Sequence, residues 1–160
     1  MNNKKNLQPT KFSFGSTSAI ITNLALIIGL NTTANAKMAI IGSLLVIALA
    51  DNISDTLGIH MYQESEGLSQ KKVWLQTFTN FFSRLITSLG FILIILIFPL
   101  NIAAVISLIY GLLVLSVVSY MISLGKKISP WLPIIEHLVI AVFVIILSNF
   151  VGKFVISYFR

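Results

Sequence analysis

The sequence predicts an all-α integral membrane protein, a five-transmembrane-helix bundle, on three observations. Of 160 residues, 56% are hydrophobic and only 10% carry a charge, whereas a soluble domain of this size is about 25% charged. The mean hydropathy is +0.93. The apolar residues are gathered into five runs, each near the ~17–25 residues that cross a bilayer as a helix. A water-soluble core of this length has no room for so much apolar surface, so soluble classes are excluded. With no cysteine, a disulfide framework, a thiolate metal site and a cysteine nucleophile are excluded too. The net charge of +6 comes without a basic stripe, and reads as membrane orientation instead of nucleic-acid binding.

Residues 1–160 form a single membrane domain, read in order along the chain. A polar tail with Lys4 and Lys5 precedes the first span, about 12–30, which Asn31-Thr32-Thr33-Ala34-Asn35 ends. The second span covers about 38–60 and runs into a cytoplasmic connector at 61–73 that holds Glu64, Glu66, Lys71 and Lys72. Spans at about 74–98 and 102–124 are divided by Pro99-Leu100-Asn101, and a last span at about 133–158 follows Gly125-Lys126-Lys127-Ile128-Ser129-Pro130. With the N-terminus inside, Lys4, Lys5, Lys11, Lys71, Lys72, Arg84, Lys126 and Lys127 are cytoplasmic, and Lys37, Lys153 and Arg160 lie outside. Loop lysines and arginines gather on the cytoplasmic side, so the expectation is a multi-pass cell-membrane protein, N-terminus cytoplasmic and C-terminus outside. Trp74 and Trp131 fall at inner span ends, where aromatic anchors are common. A competing reading takes the first run as a secretory leader cleaved after Ala34-Asn35-Ala36, leaving four spans.

The acids carry the functional signal. Asp51 and Asp55 lie inside the second span, four residues apart and therefore on one helix face, with Asn52 and Ser54 beside them. An Asp at the bilayer centre costs about 2.5–3.5 kcal/mol to insert, so the pair must meet a cavity, a cation or a counter-charge. Oxygen ligands of this kind suit a hard divalent cation or a proton relay. The alternative is structural: Arg84 and Asp51 both lie roughly 13–17 Å deep at 1.5 Å per residue, and an Asp51–Arg84 pair would satisfy both. His60, Glu64 and Glu66 at one inner helix end, and Glu136 and His137 at another, are candidates for a cytoplasmic vestibule or are simply solvated helix ends. Met38, Met61 and Met121 read as packing residues. No phosphate loop, H-E-x-x-H or G-x-S-x-G motif is present, so no catalytic residue is assigned and an enzyme is not expected.

Phe14-Gly15-Ser16-Thr17-Ser18-Ala19 with Gly29, Ala50-Asp51-Asn52-Ile53-Ser54-Asp55-Thr56-Leu57-Gly58 with Ser65-Glu66, and Phe150-Val151-Gly152-Lys153 together resemble the first, second and last helices of the vacuolar iron transporter family. The resemblance implies a five-helix homodimer that moves Fe²⁺ or Mn²⁺ out of the cytosol in exchange for protons, with the transported divalent cation as its only metal. It implies a metal site at Asp51, Asp55, Ser54, Asn52 and Ser18. Departures accompany it. Ser18 stands where the family has an Asp on the ion path, Asp55 replaces the second-helix Met, and Ile59 replaces the following Glu. The family's metal-binding insert is reduced to the connector with Glu64 and Glu66. Either the acid has moved from helix one to helix two, or the site has decayed and the chain is a non-transporting membrane subunit or scaffold.

Overall fold

A computed structural model describes residues 10–126 and 128–159, and the side chains of 15–124 and 128–159. Lys4, Lys5, Lys127 and Arg160 lie outside the described residues, as do the side chains of Lys11 and Lys126. The chain is all-helical there: α1 (Thr10–Leu30), α2 (Ala36–Val46), a π-helical turn (Ile47–Asp51), α3 (Asn52–Ser65), α4 (Gln70–Ile97), α5 (Leu100–Lys126) and α6 (Trp131–Phe159). α2, the π turn and α3 form one continuous rod of 30 residues.

Four helices are long and apolar enough to cross a membrane: Ala36–Ser65, Gln70–Ile97, Leu100–Leu124 and Trp131–Phe159. The expected fifth, α1, has 21 residues, of which Gly15–Leu30 form a shorter apolar stretch. α1 is the central helix, packed against α4, α5 and α6 and touching α2. Its Ile20, Leu24 and Ile27 are fully buried, so this segment contributes to the core of the bundle.

Helix continues past the apolar runs. The connector expected over 61–73 narrows to a turn at 66–69, because α3 continues to Ser65 and α4 begins at Gln70. That turn is a Schellman motif: Gly67 takes φ +70°, its N–H donates to the Glu64 carbonyl, and Leu68 N–H donates to Gln63. At the opposite end of the bundle, Asn35 enters α2 in the left-handed region at φ 56°, which Asn tolerates better than most residues. Lys37 reaches from α2 to donate to the carbonyls of Leu96 and Phe98 at 3.3 and 3.1 Å. It caps the negative C-terminal end of α4 with a cation.

The interior is divided along the helix axes. Toward the 31–35 turn it is apolar, built from Ile20, Leu24, Ile27, Ile40, Leu44, Phe91, Ile92, Ile95 and Ala103. Toward the 66–69 turn it is polar, with Ser16, Asn52, Thr56, Thr77, Asn80, Ser83 and Arg84 all buried. The surface inverts the soluble pattern. Phe143, Ile146, Phe150 and Tyr158 on α6 are 64–72% exposed, as a lipid-facing helix should be. Met38, Met61 and Met121, expected to pack inside, instead point outward at 75%, 61% and 48% exposure, since a thioether is as well solvated by hydrocarbon as by a core.

Candidate functional site

The polar half is assembled by α4. Thr77, Asn80, Ser83, Arg84, Thr87 and Ser88 recur at helical spacing on one buried face of it. Interhelical hydrogen bonds tie this face to its neighbours. The Ser16 and Ser83 hydroxyls meet in a short hydrogen bond between α1 and α4. Asn23 Nδ2 donates to Ser88 Oγ at 2.9 Å. Between α3 and α4, Asn80 Nδ2 donates to Thr56 Oγ1 at 3.1 Å and Asn52 Nδ2 donates to the Phe81 carbonyl at 3.0 Å, while within α3 Thr56 donates to Asn52 Oδ1 at 3.4 Å. In hydrocarbon there is little apolar driving force between helices, so packing and such bonds hold them together.

Arg84 is the fifteenth of the 28 residues of α4, at its midpoint, and is only 1% exposed. Its Nη2 lies 2.5 Å from Asp51 Oδ2, and its Nη1 lies 2.6 Å from Asp55 Oδ2. One guanidinium is thus shared by two carboxylates, whereas the sequence suggested a pair with Asp51 alone. The sharing follows from the i, i+4 spacing, which stacks the two carboxylates one turn apart beside the planar fork of one Arg. Burial is unequal across the trio. The Asp51 and Asp55 side chains remain 43% and 38% exposed against 2% for Arg84. Ser18 Oγ on α1 donates to Asp55 Oδ2 at 3.3 Å.

Two backbone features position the trio. The π turn ends at Asp51, and Asn52 N–H bonds back to the Ile47 carbonyl. One extra residue in a helix rotates the residues beyond it by about 100°, so α2 and α3 present different faces. α2 packs on α1 and α4, while α3 packs on α4, and the two carboxylates are left partly exposed. Single π turns of this kind concentrate at functional sites. Gly15 provides the second feature. A Cβ there would stand 2.5 Å from Asn80 Oδ1 and 3.1 Å from Arg84 Cγ, so only glycine lets α1 close over the arginine.

Of the five residues expected at a metal site, Asp51, Asp55 and Ser18 are brought together. Asn52 is turned into α4, bonded to Phe81, and Ser54 faces outward in an exposed position. Among the described residues no group of three or more His, Cys, Asp or Glu is placed to hold a metal ion. The expected vestibule residues divide into two groups. His60 Nδ1 is 2.8 Å from Thr77 Oγ1 and its Nε2 is 3.4 Å from Glu64, while Glu66 is exposed at the end of α3. On α6, Glu136 is exposed and His137 Nδ1 lies 2.7 Å from Ser119 Oγ of α5. No hydrogen bond or ion pair among the described residues joins the two groups. Sequence reasoning missed Thr56, Thr77, Asn80 and Ser83. For Thr77, Asn80 and Ser83 the signal was present as repeating polar residues on the Arg84 face of α4, and for Thr56 as its place one turn after Asn52 on α3.

Fold and site define a multi-pass helical membrane protein with a buried arginine shared by two carboxylates at mid-height. Compared with protein-family models, curated proteins and solved structures, the chain matches none.

Proposed function

We propose that this chain is a small cation transporter of the cell membrane, working at Asp51, Arg84 and Asp55 by exchange with protons. One observation carries the reading: a single buried guanidinium faces two carboxylates that stay 43% and 38% exposed. Two carboxylates and one arginine leave one formal negative charge in excess, at a depth where an isolated charge is costly. A structural staple for Arg84 needs one carboxylate. The second is free to carry a proton or a cation. Resemblance to the vacuolar iron transporters supplies the cargo, Fe²⁺ or Mn²⁺ leaving the cytosol, and the N-inside, five-span homodimer. The donors at hand, Asp51, Asp55 and Ser18, are oxygen atoms suited to such hard cations.

The test is Mn²⁺ flux in proteoliposomes carrying a proton gradient. Asp55→Asn and Asp51→Asn are each expected to lower the flux at least tenfold. Wild-type rates in both variants sink the assignment.

A second reading is favoured by a separate observation. Arg84 lies within 2.6 Å of both carboxylates, as a permanent clamp would. On that reading the chain is a non-transporting subunit or scaffold, shows no cation flux, and needs the trio only to fold.

A further inference from the structure

α3 is tied to α4 along one stripe. Asn52, Thr56 and His60 recur at four-residue spacing on α3 and meet Phe81, Asn80 and Thr77 of α4. His60 is the contact nearest the 66–69 turn, and of these side chains histidine alone changes charge between about pH 5 and about pH 8. Both of its ring nitrogens are engaged. Nδ1 lies 2.8 Å from Thr77 Oγ1, and Nε2 lies 3.4 Å from Glu64 Oε1. Thr77 donates its one hydroxyl proton to the Val73 carbonyl at 2.9 Å, so toward His60 it accepts. Glu64 Oε1 also accepts from Gln70 Nε2 at 3.1 Å, which links the end of α3 to the start of α4.

We propose that His60 is a proton-operated latch between α3 and α4. A protonated ring donates from both nitrogens and serves Thr77 and Glu64 at once. Either neutral tautomer loses a bond. With the proton on Nδ1, a bare Nε2 lone pair faces the Glu64 carboxylate and repels it. With the proton on Nε2, Thr77 must abandon Val73 to donate to Nδ1. The full set of bonds therefore belongs to the imidazolium, and loss of its proton frees Glu64 to turn away from both His60 and Gln70. The main elements packed on α3 are α4 and the π turn. α4 turns Thr77 and Trp74 toward the ring, and Asp51 of the π turn is paired with Arg84. Lys71 and Lys72 are exposed in the first turn of α4. Among the described residues Glu64 is the one charged group in an ion pair with His60. His137 supplies the contrast. Its Nδ1 lies 2.7 Å from Ser119 Oγ, which likewise donates to a backbone carbonyl, that of Leu115. No carboxylate is paired with its ring among the described residues, so one neutral tautomer completes its bonds.

Two measurements on the full chain in detergent test the latch. The chain has two histidines and no cysteine. Ring-nitrogen NMR resonances, assigned through His137→Gln, therefore read the protonation of His60, and a nitroxide on Glu66→Cys reads the mobility of the α3 end. Between about pH 5 and about pH 8, the His60 ring is expected to pass from doubly to singly protonated while the mobile fraction of the label rises at least twofold. His60→Gln and Glu64→Gln should each abolish the pH response of the label. A label indifferent to pH while the ring titrates overturns the latch, and so does a full response in Glu64→Gln. A ring that keeps one protonation state throughout overturns it as well. The latch stands apart from the proposed transport, since neither measurement involves a transported cation.

Discussion

α4 and α6 have 28 and 29 residues and mean hydropathies of 2.0 and 2.5 over their most apolar stretches, yet 44% of that stretch is buried in α4 and 6% in α6. Ala141 is the buried residue of α6, whereas α4 hides ten side chains, six of them Thr, Asn, Ser or Arg. In water the ordering would be reversed, with the more apolar helix at the centre. In a bilayer the lipid solvates apolar side chains as well as a core does, and polar ones must find partners inside. α4 accordingly supplies the buried polar face of the bundle, and α6 forms part of its wall.

That contrast predicts a steep gradient in what substitution costs. The largest effect belongs to Arg84→Gln, which leaves two carboxylates without their cation. Breaking a buried ion pair by removing one partner costs about 3–5 kcal/mol, so folded yield and detergent melting temperature should collapse. The triple change Arg84→Gln, Asp51→Asn, Asp55→Asn should restore both, because no charge is then left unpaired. Gly15→Ala comes next. The added Cβ would press on Asn80 and Arg84, and overpacking of this kind costs about 1–3 kcal/mol, visible as a lowered melting temperature. Asn23→Ala removes one interhelical hydrogen bond to Ser88, and such bonds average about 0.6 kcal/mol within membranes. At the bottom, Ile146→Leu on the lipid face of α6, where Ile146 is 64% exposed, should stay within about 0.5 kcal/mol of wild type. A cost at Ile146 as large as that at Gly15 would break the contrast and mark α6 as a covered interface.

Much of this was legible in the amino-acid order. Apolar runs long enough to span, broken at Asn31–Asn35 and at Pro99, announce helices and their turns, and those breaks fall where the chain turns. The charged centre was legible too, since Asp51, Asp55 and Arg84 are the acids and base that reach mid-span. What the sequence does not display is rotation. The π turn at Ile47–Asp51 shifts the helical phase without a proline or glycine to mark it, and that phase sends Asn52 into α4 and Ser54 outward. The sharing of one arginine by Asp51 and Asp55 follows instead from their i, i+4 spacing, which span depth alone does not bring out. The vestibule residues of α3 and those of α6 share no hydrogen bond or ion pair among the described residues. Being at the same end of a bundle fixes height and leaves the azimuth open, and α3 and α6 pack on different neighbours.

The central claim is that one of the two carboxylates is surplus to folding and serves cation passage. Asp55→Asn tests it most directly, because Arg84 keeps Asp51 as a partner and the centre becomes formally neutral. Measured on one preparation in proteoliposomes, this variant should melt within a few degrees of wild type while Mn²⁺ flux falls at least tenfold. Unchanged flux, or loss of folded protein comparable to Arg84→Gln, would contradict the claim and leave the trio as a clamp.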